Sequence, residues 1–72
     1  MSTLKRLELF SKNLKRMMKE DDISQEELAD EIGTSQSMIS KYISGENIPS
    51  VPILLEISDY LCCTLDELFE EE

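Results

Sequence analysis

Histidine and tryptophan are absent from this 72-residue chain, and glycine, proline and cysteine occur only twice each. Each scarcity removes a class of chemistry. Without histidine there is no ordinary Ser–His or Cys–His catalytic pair, and a structural zinc site confined to one chain lacks ligands. Two isolated glycines, Gly33 and Gly45, cannot build a glycine-rich phosphate loop. The cysteines, Cys62 and Cys63, are neighbours. Side chains one residue apart on a helix point about 100° apart, which suits neither a relaxed disulfide nor a chelate, so both read as small core-filling residues. Long apolar runs are missing as well, so nothing in the sequence spans a bilayer. The opening "MSTLKRLELF" begins with cations but is interrupted by Glu8 and then by Ser11, Lys12 and Asn13, unlike a secretory signal, so a cytoplasmic location is expected. No cofactor, metal or small-molecule site stands out, and the carboxylates fall on the polar faces of predicted helices, where solvation is their usual role. The chain does not read as an enzyme.

Cations are scarce too, with seven Lys and Arg against sixteen Asp and Glu for a net charge of −9. They are also unevenly placed. Residues 1–19 hold six cations and one acid (+5), whereas residues 20–72 hold one cation and fifteen acids (−14). At 40% hydrophobic and 32% charged residues, the composition is that of a globular protein. A chain of this length makes one small domain, which buries roughly 60% of its unfolded surface. It is read as one domain over 1–72, with a core from about 5 to 69 and an acidic tail at 70–72.

Apolar periodicity and capping residues lay out five helices and no sheet. Leu4, Leu7, Leu14 and Met18 recur at helical spacing over about 4–20, with Lys5, Lys12, Arg16 and Lys19 as a basic stripe beside them. Ser24 caps a second helix with Glu27 completing a capping box, Leu28, Ala29 and Ile32 face inward, and Gly33 supplies the positive φ that ends it. Thr34 and Ser35 stand ready to cap a third helix over Gln36–Ser44, with Ile39 and Ile43 inward, until Gly45 stops it. "ENIPSVP" is extended, because proline disfavours helix at the residue before it. Ser50 then starts a fourth helix through Ile53, Leu54, Ile57 and Leu61. Thr64 and Glu67 form a capping box for a short last helix carrying Leu65, Leu68 and Phe69, and the "EEE" tail frays.

Two short helices joined by a glycine turn, here 24–45, form the helix-turn-helix arrangement that places its second helix in the major groove, although many small helical bundles contain such a turn. From Phe10 to Leu68 the residues resemble the Cro and phage-repressor (XRE-like) helix-turn-helix family. The resemblance rests on "SQEELADEIG", on Ser35, Ile39, Ser40 and Tyr42 in "SQSMISKY", on Gly45, on "PS" at Pro49 and Ser50, and on Leu54, Leu55, Leu61 and "TLDEL". It implies a compact all-α, five-helix lambda-repressor-like domain that binds double-stranded DNA as a homodimer. The implied function is a sequence-specific transcriptional regulator, a repressor acting on a palindromic operator. By the same resemblance Gln36, Ser37 and Lys41 match positions that touch base edges, and Gln25 matches one that reaches a phosphate. Ser35, Ser40, Tyr42 and Asn47 are further phosphate candidates. The side-chain chemistry is suitable: Gln pairs bidentately with adenine, Lys donates to guanine, and Ser adapts to either.

Three departures from the family pattern stand out. Where members often carry an Arg paired with a Glu, this chain has Met18 and Ile43, a replacement that favours apolar packing. Where a cation often follows the glycine after the third helix, it has Glu46, which repels phosphate. Finally, seven acids fall between Glu20 and Glu31, against the basic patch usual in DNA-binding proteins. These keep open a second reading, an acidic protein-interaction module of antirepressor or antitoxin type that keeps the fold and binds a basic protein. The stretch from Ile32 to Gly45, which has no acid and a single cation, Lys41, favours DNA. Tyr60, Leu65 and Phe69 are candidates for dimer contacts or for the core.

Overall fold

The computed structural model describes residues 3–71. Its helices are α1 (Thr3–Glu20), α2 (Gln25–Ile32), α3 (Gln36–Ser44), α4 (Val51–Leu61) and α5 (Leu65–Leu68), with no strand among the described residues. Local chemistry sets these boundaries. The Ser24 side chain accepts from the Glu27 N–H to start α2, and Gly33 at φ 72° ends it in the left-handed region that glycine adopts without penalty. Ser35 accepts from the Met38 N–H to start α3, and Gly45 at φ 82° ends it. Thr64 and Glu67 form the full capping box expected at α5. At α4 the N-cap is Ser50, but its side chain makes no cap bond, and proline in the first turn begins the helix instead.

Helix α3 packs on α1 and α2, α4 on α2, and α5 closes against α1 and α4. Phe10, Leu14, Leu28, Ile39, Ile57 and Leu68 are fully buried, with Met18, Ala29, Ile32, Tyr42 and Leu61 around them. Met18 is buried in this cluster and Ile43 is partly buried against it. Leu4 is outside it. It lies about 120° round α1 from Phe10, off the packed face, and is 76% exposed. Phe10 is the residue of α1 that periodicity undervalued: it meets Tyr42 edge-on at 6.4 Å and stacks on Phe69 at 5.6 Å.

The tail is also better held than its composition implies. Asn13, 1% exposed, donates through its side-chain amide to the carbonyls of Leu68 (3.0 Å) and Glu70 (2.9 Å). These bonds satisfy carbonyls at the C-terminal end of α5 that have no partner within so short a helix. They also fix Glu70 against α1, so the chain is fastened where fraying was expected; Glu72 lies outside the described residues. Arg16 steadies the clamp by donating to the Asn13 side-chain oxygen at 3.3 Å. Replacing Asn13 with Ala should destabilise the domain by about 1–3 kcal/mol, because a buried and a part-buried carbonyl lose their donor. Urea denaturation would show this, and Asn13→Asp, which has no amide donor, should not restore stability.

Candidate nucleic-acid interface

Three consecutive pieces of backbone set the outward face of α3. The Gly33 turn fixes its angle to α2, Ile39 and Tyr42 hold its inner side, and its last turn fastens the loop that follows. In that last turn the Lys41 carbonyl accepts from the N–H groups of Glu46 (3.0 Å) and Asn47 (3.3 Å). Loop 45–47 is thereby tied to the helix.

With its inner side committed, α3 turns Ser37, Ser40, Lys41 and Ser44 outward at the i, i+3, i+4, i+7 spacing of a single helical face, and Gln36 is exposed at its start. No acid lies within the helix. Gln25, the first residue of α2, is half-buried, and Asn47 is exposed on the tied loop. The Ser35 oxygen is occupied by the Met38 N–H, which leaves its hydroxyl proton for an outside acceptor. Tyr42 is the exception among the expected contacts. It is 4% exposed with its ring against Phe10, so it belongs to the scaffold, as an aromatic on the inner face of a short helix must.

The nearby acids are arranged more selectively than their number implies. The Glu27 carboxylate, expected to close a capping box on Ser24, instead accepts a hydrogen bond from the Tyr60 hydroxyl of α4. That bond, partial desolvation and the charges of Glu27 and Glu31 together push the Tyr60 hydroxyl up to about 12. Glu27 and Gln25 are two residues apart and so point about 160° from each other around α2. Glu27 is therefore drawn toward α4 and away from the side of Gln25. Glu46 is held as well, its carboxylate accepting from the Ser44 hydroxyl at 2.9 Å. It lies just past the C-terminal end of α3.

A helix-turn-helix family model matches residues 14–68, which include α2, the turn and α3. The chain belongs to the XRE-type helix-turn-helix family. Several of its relatives are described as regulators of transcription. It is 33% identical over 64 residues to an uncharacterized HTH-type transcriptional regulator, YqaE, of Bacillus subtilis, covering 89% of this chain and 55% of the relative. It is 33% identical over 63 residues to the HTH-type transcriptional activator BcrR of Enterococcus faecalis, covering 88% and 31%. It is 44% identical over 45 residues to the cryptic phage CTXphi transcriptional repressor RstR of Vibrio cholerae, covering 62% and 40%. The chain thus spans between about a third and about half of the curated relatives it matches. Among solved structures, the SOS-response repressor LexA from Eubacterium rectale superimposes with a TM-score of 0.89 at 26% identity, over 94% of this chain and 72% of that one. The five-helix repressor-type fold read from the sequence is the fold of this helix-turn-helix domain.

The contacts that sequence reasoning missed are those that orient the site from a distance. Tyr60 and Phe69, candidates for either dimer contacts or the core, engage partners within the domain, Glu27 and Phe10 respectively, while Leu65 stays 37% exposed. The Tyr60 bond yields a pH signature. A hydroxyl whose folded pKa lies above its unfolded value of 10 contributes stability that is fully present below pH 10 and is lost as pH rises toward about 12. Tyr60→Phe should flatten that alkaline limb of the stability curve, as chemical denaturation between pH 9 and about 12 would show.

Proposed function

We propose that this domain is a sequence-specific DNA-binding regulator of transcription that inserts α3 into the major groove of a palindromic operator as a homodimer and represses by occupying it. The observation that carries the reading is the outward face of α3: Gln36, Ser37, Ser40, Lys41 and Ser44, exposed and free of acids in a chain of net charge −9. In this reading Gln36, Ser37 and Lys41 address base edges, Gln36 suited to adenine and Lys41 to guanine. Gln25 contacts phosphate from the start of α2, where the helix N-terminal amides add their partial positive charge. Ser35, Ser40 and Asn47 add phosphate hydrogen bonds; Tyr42, being buried, does not.

Repression is favoured because two of the similar proteins, RstR and LexA, are named repressors, and because occluding a promoter needs only occupancy. Half-sites for such a dimer are centred about 34 Å apart. With Lys41 the single cation of α3 and Glu46 next to its end, few phosphates are neutralised. Each neutralised phosphate adds about −0.9 to the salt slope, so binding should be less salt-dependent than that of a basic relative.

Selection from a random duplex library at low salt tests this. A palindromic motif should be enriched, Lys41→Ala and Gln36→Ala should each relax preference at one position by about 1–3 kcal/mol, and Gln25→Ala should weaken all sequences alike. Recovery of no enriched motif would overturn the reading.

A further inference from the structure

The basic stripe of α1 has no part in the contacts assigned to α3 and the start of α2. Lys5, Lys12, Lys15, Arg16 and Lys19 lie within about 100° of arc round the helix, and all five are exposed. Glu8 is the one acid in that arc. Five of the seven cations of a chain with net charge −9 are thus gathered on one strip, about 21 Å long. Arg16 is engaged, donating to Glu20 and to the Asn13 side-chain oxygen, each at 3.3 Å. Lys12, Lys15 and Lys19, at spacings of three and four, have no ion-pair partner among the described residues.

The core sets the direction of this strip. Phe10, Leu14 and Met18 face inward, and the middle of the arc lies about 170° round α1 from Phe10, directly away from the packed helices. Its two borders are fixed as well. On one side Ser11 lies against the end of α3, where a Cβ at Gly45 would sit 3.6 Å from the Ser11 hydroxyl oxygen. On the other, Asn13 holds the carbonyls of Leu68 and Glu70. Lys12 stands between them in sequence and points about 100° from each. The chain past α3, with Glu46, and the chain past α5, with Glu70, therefore border the strip.

We infer that this strip docks an acidic helix of a protein partner, with carboxylates at spacings of three and four set against Lys12, Lys15 and Lys19. Charge complementarity selects an anionic partner, and the borders select its shape. Packed helices approach to about 8–10 Å between axes, so a single helix fits along α1 between Glu46 and Glu70. A DNA duplex carries a phosphate charge about every 1.7 Å over two strands and would bring some of them against both acids. The amino-terminal end of the strip adds a second signal. Leu4, 76% exposed at its edge, offers an apolar contact that an amphipathic helix can use and a phosphate backbone cannot. Exposed ion pairs are individually weak and screened by salt, so docking is rapid, modest in affinity and salt-sensitive.

The test uses a fluorescein-labelled helical peptide with glutamates spaced to meet Lys12, Lys15 and Lys19 and one leucine placed to meet Leu4. Its glutamine counterpart and a nonspecific duplex of equal charge are the comparisons. At about 50 mM salt, anisotropy should show the glutamate peptide binding about tenfold more tightly than the glutamine one, an advantage that shrinks as salt rises. Lys12→Gln, Lys15→Gln and Lys19→Gln together should remove that advantage. They should do so equally in a background of Asp22→Asn, Glu56→Gln and Asp59→Asn, where three charges of each sign are removed and the net charge is again −9. All six residues are exposed, so the core is untouched, and circular dichroism checks the fold. Leu4→Ser should weaken the glutamate peptide about threefold and leave its salt dependence unchanged.

Equal affinity for the two peptides overturns the inference, and so does recovery of binding in the charge-balanced variant. A duplex that binds more tightly than the peptide and is lost in the triple lysine variant assigns the strip to nucleic acid instead. Self-association of the protein alone, seen by sedimentation and abolished in the same variant, makes a second copy the occupant and also overturns it.

Discussion

Phe10 is the joint on which the arrangement of the domain depends. One ring on α1 meets Tyr42 of α3 edge-on and stacks on Phe69 just past α5. Aromatic pairs of this kind contribute about 0.5–1.5 kcal/mol beyond their buried area, a large share for a domain of this size. Their geometry matters more than their energy. Because Tyr42 is on the inner edge of α3, its contact with Phe10 fixes the roll of that helix, and the roll decides which residues look outward. The same ring ties the end of the chain to the helix that carries the basic residues, so the site and the closing segment share one support.

Around that joint, acidity and DNA binding are reconciled by position. Glu27 is held by a hydroxyl of α4 and Glu46 by a hydroxyl of α3. A hydrogen-bonded carboxylate keeps its charge but loses its freedom to swing toward an approaching phosphate. The remaining acids of α2 and its preceding turn are exposed and solvated, where counter-ions screen them beyond about 8–10 Å. A net charge of −9 therefore does not translate into uniform repulsion. It leaves an acid-free outward face on α3.

Most of this fold was legible in the sequence because its punctuation is local. Serine, threonine and glycine at helix ends act within three or four residues, and the boundaries of α2, α3 and α5 follow from them directly. What escaped was long-range. Asn13 looks like a polar surface residue among apolar neighbours, and only its partners 55 and 57 residues away make it a clamp. Tyr60 and Glu27 are 33 residues apart, so the local pattern favoured a capping box that the distant hydroxyl displaced. Tyr42 is a phosphate candidate by family resemblance, but tyrosine serves equally well in a core and at a phosphate, and periodicity within a nine-residue helix does not separate the two. Gln36, Ser37 and Lys41 were singled out by the same resemblance, and all three are exposed.

The Lys41 carbonyl, which gathers the loop after α3, has a consequence of a different kind. The frame of the site is drawn by main-chain atoms, by buried side chains and by the Ser44 hydroxyl that holds Glu46, whereas Gln36, Ser37, Ser40 and Lys41 stand exposed on the outward side. Replacing them alters what the helix meets and leaves how it is held unchanged. Such a surface can be rewritten a residue at a time without passing through unfolded intermediates.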